Sequence, residues 1–233
     1  MKIGVKQVLS EAMNYWRRHF MRLAMISFIM FLLNVFMYVF QYIPPEGSPL
    51  SWVLIGVTFL MIIFVPKHYM AVRILFYSMM HGNEITIRQA YRQTKGKYWR
   101  WVGYILIIIL PALVLMLSRI PFPYIISAIY VALISALLYT LSPMIAIEDK
   151  SNISLKKSIK MIKGNYLPIL VIVIITVSLL SVTNGTFYRV FETETVAHLI
   201  FGTAFAIAYF FIFPFVAITE VIVYVQLKEK HTL

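Results

Sequence analysis

The chain contains no cysteine, so it can form no disulfide and offers no thiolate to a metal. It is also poor in charge: Asp, Glu, Lys and Arg make up 13% of its 233 residues, against about 25% in an ordinary soluble domain. Only nine residues are acidic, and they are scattered along the chain. The motifs HExxH and GxSxG and a phosphate-cradling loop are missing. No two histidines have metal-ligand spacing. A membrane-embedded hydrolase or lipid transferase needs a cluster of acid, histidine or metal-binding groups, so no enzyme, cofactor or metal site is expected. Short segments of alternating polar and apolar residues are lacking too, which excludes a β-barrel.

What the chain has instead is apolar length. Hydrophobic residues are 61% of the whole, and the mean hydropathy is +0.83. Six runs, near 22–43, 51–72, 101–118, 123–147, 166–182 and 197–225, approach the roughly 20 helical residues that cross a hydrocarbon core of about 30 Å. Inside lipid a segment must satisfy its own backbone groups, so these runs are expected to be helices. The first run is too long for a signal peptide and has no small-residue cleavage site, which predicts a retained span.

The runs fall into a unit used three times: a basic amphipathic segment, two spans, and a proline near the end of the second. Ile85-Thr-Ile-Arg-Gln-Ala-Tyr-Arg-Gln-Thr-Lys-Gly-Lys-Tyr98 matches Ile153-Ser-Leu-Lys-Lys-Ser-Ile-Lys-Met-Ile-Lys-Gly-Asn-Tyr166, and Leu9 to Phe20 is a more distant copy. Pro143-Met-Ile-Ala-Ile-Glu-Asp149 likewise reads like Pro214-Phe-Val-Ala-Ile-Thr-Glu220, with Pro66 in the equivalent place. Self-similarity of this kind predicts one module in parallel repetition. The expected fold is therefore an all-α integral membrane domain, 1–233, of six transmembrane helices in three parallel pseudo-repeats (approximately 3–82, 83–150 and 151–233). Each repeat is preceded by an amphipathic interfacial helix.

Charge sets the predicted orientation, because loops rich in Lys and Arg stay cytoplasmic. Of the 21 Lys and Arg residues, only Arg119 and Arg189 fall on the other side, so both termini are expected in the cytoplasm. The formal net charge of +12 reads as attraction to anionic lipid headgroups, about 1 kcal/mol per basic residue beside a span. It does not read as a nucleic-acid footprint. Within the interfacial segments Arg88, Arg92 and Lys95 lie opposite an apolar face, as do Lys156, Lys160 and Lys163. Thr86 with Gln89 predicts a capping box, Ser154 an N-cap, and Gly96 and Gly164 left-handed helix stops. These basic collars either anchor the protein or dock a cytoplasmic partner such as an ATPase.

Ionisable groups within apolar spans are functional candidates by default. Glu220 in the last span reads either as a coupling or substrate site or as a partner of Arg73 or Arg100 near the interface. Asn34 and His68 complete a candidate intramembrane polar set, with packing and an interfacial position as their alternative roles. Pro66, Pro143 and Pro214 predict a common kink, since each frees the carbonyl one turn earlier.

At 85–101 and 153–167 the chain resembles a loose group of bacterial six-span proteins that includes the membrane domain of some glycerophosphodiester phosphodiesterases. These repeat a short amphipathic helix ending in Lys-Gly-x-Tyr/Phe before each helix pair. The chain lacks the soluble phosphodiesterase domain, so no catalytic residue carries over. The resemblance implies a helical bundle in the bacterial cytoplasmic membrane. The expected role is that of a permease-like or accessory subunit of a peptide or lipid export system, partnered by an ATPase or another membrane subunit. The rival roles are protection of the membrane against a membrane-active peptide, and a lipid-modifying enzyme.

Overall fold

A computed structural model of the chain describes residues 3–40, 49–118, 122–149, 153–183 and 195–232. Among the described residues there are ten helices and no strand: α1 (Val5–Arg18), α2 (Phe20–Phe40), α3 (Pro49–Met80), α4 (Ile87–Gln93), α5 (Tyr98–Leu117), α6 (Pro123–Leu137), α7 (Leu141–Ile147), α8 (Leu155–Ile162), α9 (Tyr166–Thr183) and α10 (Thr195–Thr232). Arg119, Lys150 and Arg189 lie outside the described residues.

Tyr98–Leu117 and Phe210–Lys230 are long and apolar enough to cross a membrane, and the number rises to four if the bent pairs α6 with α7 and α8 with α9 each make one span. They occupy different places. Only 17% of the apolar window in α5 is buried, against 67% in that of α10. Leu106, Leu110, Val114 and Leu117 of α5 stand exposed, a contiguous apolar face that water would penalise and lipid would not. The post at the centre is α10, against which α1, α2, α3, α7, α8 and α9 all pack. Phe213, Ile218, Val221 and Tyr224 of α10 are fully or almost fully enclosed. Lipid tails are as apolar as leucine, so within hydrocarbon such contacts hold by close packing rather than by exclusion of water.

Prolines shape the helices in three ways. At Pro143 the helix is interrupted over 138–140, where the ring would clash with the Tyr139 carbonyl, and α6 and α7 meet at 47°. By contrast α3 and α10 run through Pro66 and Pro214 without a break in helical structure. Helix α5 also continues through its proline, Pro111. The carbonyl that Pro111 frees, that of Ile107, accepts the Tyr130 hydroxyl of α6 at 3.0 Å. That bond restores the lost partner from a neighbouring helix, as lipid-embedded backbone requires.

The short helices have the local chemistry their sequences call for. The Thr86 side chain accepts from the Gln89 N–H at 3.2 Å while the Gln89 side chain accepts from the Thr86 N–H at 2.7 Å, a complete capping box on α4. Gly96 and Gly164 take φ of 79° and 85°, the left-handed turn that an L side chain resists. Ser154 is extended at the head of α8, but its side chain makes no capping bond. Beyond Gly164 the chain turns by 104° into α9.

Candidate functional site

Among the described residues, two links between buried ionisable side chains lie inside the bundle, and a network of polar contacts sits at one end of it. The first joins α3 to α10. Arg73 Nε donates to Glu220 Oε2 at 2.7 Å, Arg73 Nη2 donates to the same oxygen, and Arg73 Nη1 donates to the Tyr69 carbonyl at 2.7 Å. The Arg73 side chain is 4% exposed and that of Glu220 15%. The guanidinium also lies 5.5 Å from the centroid of the Tyr69 ring, a cation–π contact. Of the two partners that the sequence allowed Glu220, the fold selects Arg73. Such a pair contributes little net stability, because desolvation offsets the attraction, yet removing one member strands a charge.

The second link joins α3 to α4. His68 is fully buried, stacked on Phe64 and Phe213, with Nδ1 2.6 Å from the Tyr91 hydroxyl. Its Nε2 has no hydrogen-bond partner among the described residues. Burial pushes the Tyr91 hydroxyl, on the short helix α4, up to about 12, so it stays protonated and able to donate. The sequence placed His68, Glu220 and Asn34 in one polar set. The fold divides the first two between separate links, and Asn34, although in α2, has a side chain outside the described residues.

The third is a network that ties the end of α7 to α10 and to the turn before α5. Glu148, capping α7, accepts from Tyr224 and Lys228 of α10. Burial alone would raise its carboxyl, but the two hydrogen bonds and the Lys228 and Lys157 charges outweigh that and hold it below the usual carboxylate value. Lys97, just before α5, donates to the Ala146 carbonyl at 2.6 Å. Burial lowers the Lys97 amine, with Arg100 adding to the effect and Asp149 and Glu148 opposing it. Near the same end the Ile3 N–H donates to Asn165 Oδ1 at 2.9 Å, across 162 residues of sequence. None of these partners was singled out from sequence. The nearest signal was the basic Lys-Gly-x-Tyr turn that holds Lys97 and aligns it with Asn165.

The collar cations face outward. Arg88 and Arg92 of α4, Lys95 after it, Lys156 and Lys160 of α8 and Lys163 after it are all exposed, and none forms an ion pair among the described residues. Among the described residues no three His, Asp or Glu side chains could hold a metal ion. The arrangement therefore offers neutralised charge within the bundle and open positive charge at its surface.

Comparison with family models, curated proteins and solved structures finds no match to this chain.

Proposed function

We propose that the chain is a non-catalytic, multi-pass protein of the bacterial cytoplasmic membrane, acting as a permease-like or accessory subunit of an export system for peptides or lipids. In this reading six spans form three parallel pseudo-repeats, and both termini and all three interfacial helices lie on the cytoplasmic side. One observation carries it: the single acid in an apolar run, Glu220, is clamped by Arg73, whereas the six collar cations stay exposed. A coupling carboxylate has to be reached and released during a transport cycle. A docking face has only to present charge.

Two further facts support the repeat. The aligned aromatic residues Phe20, Tyr98 and Tyr166 each begin a long helix, α2, α5 and α9. The aligned positions Ala12, Ala90 and Ser158, at the middle of the three short helices, are each fully buried. In addition α10 packs on α1 as α3 packs on α4, so the last repeat meets the first as the first meets the second.

The test is affinity purification of the tagged protein from native membranes in a mild detergent. A stoichiometric ATPase or membrane subunit is expected, and it should be lost when Lys156, Lys160 and Lys163 are together changed to Glu. Recovery of the chain alone would overturn the subunit reading and favour autonomous protection of the membrane.

A further inference from the structure

An open cleft of about 900 Å³ lies between α3, α4 and the start of α5. Its charged lining is Lys67 of α3, Arg88 and Arg92 of α4, and Lys95 in the turn, with no acidic residue among the lining groups. Arg88 and Arg92 sit four residues apart on one helix, where like charges repel, and neither is in an ion pair among the described residues. The walls are fixed by structure rather than by the charges themselves. The capping box starts α4, Gly96 ends the turn, and Tyr91 on the lining is bound to the buried His68.

A second groove, of about 380 Å³, adjoins the first. It is apolar, lined by Val65, Pro66, Trp101, Val102, Ile105 and Leu106, and Tyr98 borders both spaces. Successive residues of α3 divide between them, Pro66 in the apolar groove and Lys67 in the basic cleft. Along α5 the groove follows Trp101 to Leu106, away from the charged turn. Four cations on an otherwise largely apolar wall, continued by an apolar groove, are the profile of an amphiphile with an anionic head.

We propose that this composite cleft binds one anionic lipid, its phosphate held by Lys67, Arg88, Arg92 and Lys95 and its acyl chain laid in the groove between α3 and α5. Guanidinium groups suit phosphate because their planar fork can donate two parallel hydrogen bonds. Trp99, 78% exposed at the rim, is placed where an indole ring sits at headgroup level. The site lies where α3 of the first repeat meets the collar of the second. In the third repeat Lys156, Lys160 and Lys163 stand at the positions of Arg88, Arg92 and Lys95, and Leu167 stands at that of Trp99. That collar carries the same charge without guanidinium or indole, which makes it an internal control. The inference rests on the membrane reading above but not on the existence of a partner.

The experiment is native mass spectrometry of the full chain in a nonionic detergent. The probes are long-chain phosphatidylglycerol, long-chain phosphatidylcholine, dihexanoyl phosphatidylglycerol and inorganic phosphate. Long-chain phosphatidylglycerol is expected to bind in preference to phosphatidylcholine. At about fivefold per cation beside an anionic headgroup, the double change Arg88→Gln and Arg92→Gln should weaken it by about 25-fold. The same change at Lys156 and Lys160 should alter binding less than about twofold, since those residues lie outside the cleft. Leu106→Trp, at a position 44% exposed, should fill the groove, weakening the long-chain lipid and sparing the dihexanoyl one. Equal losses at the two collars would overturn the proposal in favour of diffuse attraction. Displacement of lipid by equimolar inorganic phosphate would make the site one for free phosphate. An unchanged chain-length preference in Leu106→Trp would remove the groove from the site. If the chain instead fractionates as soluble without detergent, it is the membrane reading itself that fails.

Discussion

Replacing Glu220 by Leu would leave Arg73, with a side chain 4% exposed, charged and unpaired between α3 and α10. A guanidinium cannot shed its proton in a protein, so the charge stays. Breaking a buried pair from one side costs about 3–5 kcal/mol, and in a chain of this size each kcal/mol moves Tm by about 2–4 °C. Glu220→Leu should therefore lower Tm by about 10 °C, read by tryptophan fluorescence of the full chain in detergent. Arg73→Met is expected to cost about half as much, because the carboxyl left behind can neutralise itself by taking a proton. The double variant Arg73→Met/Glu220→Leu restores matched apolar groups across the same contact, and should return to within about 2 kcal/mol of the parent. A double variant no more stable than Glu220→Leu alone would show that the two side chains are not a matched charge pair. Glu220 would then be doing something other than matching the charge of Arg73.

Three smaller tests follow from the other links. Tyr91→Phe leaves the buried His68 ring with neither nitrogen partnered among the described residues, and should cost about 1–3 kcal/mol; thermal unfolding that matches the parent would show that another group takes the hydroxyl's place. Gly96→Ala meets no neighbouring atom within 4 Å, so its whole cost is the left-handed backbone, about 1–2 kcal/mol. Glu148→Gln weakens the bonds from Tyr224 and Lys228, and with Lys228 39% exposed the loss should lie near 1 kcal/mol. Because the Glu148 carboxyl is held below its usual 4.5, its contribution is full above that pH and is lost as the pH falls through the lowered value. The Tm gap between parent and Glu148→Gln should accordingly be constant from about pH 6 to 8 and close on acidification below 4.5.

Local chemistry was readable and long-range pairing was not. Thr86 with Gln89, and the glycines at 96 and 164, are signals carried within a few residues, and the fold uses each as the pattern implies. Ser154 has the right residue type and extended backbone for a cap but makes no side-chain bond, since a cap also depends on the rotamer that the surroundings favour. The run 123–147 reads as one span, and the structure keeps that option open with the helix interrupted at 138–140 and bent by 47°. Proline predicts such a break, but the same residue in α3 and α10 leaves the helix continuous, so neighbouring packing decides. Arg73 and Glu220 are 147 residues apart, and sequence could offer only two candidate cations for that acid. The enclosure of His68 depends on Tyr91 and Phe213 arriving from two other helices. No periodicity within α3 encodes that arrival.

In the proposed topology the chain spans the membrane with every basic collar on the cytoplasmic side. Because the natural sequence has no cysteine, single cysteines report position without a background. Lys95→Cys, Lys163→Cys and Lys230→Cys would be compared with Glu46→Cys and Asn184→Cys, using a membrane-impermeant maleimide on intact and on permeabilised cells. The first three should react only after permeabilisation and the last two in intact cells. Labelling of Lys95→Cys or Lys163→Cys from outside would contradict that topology.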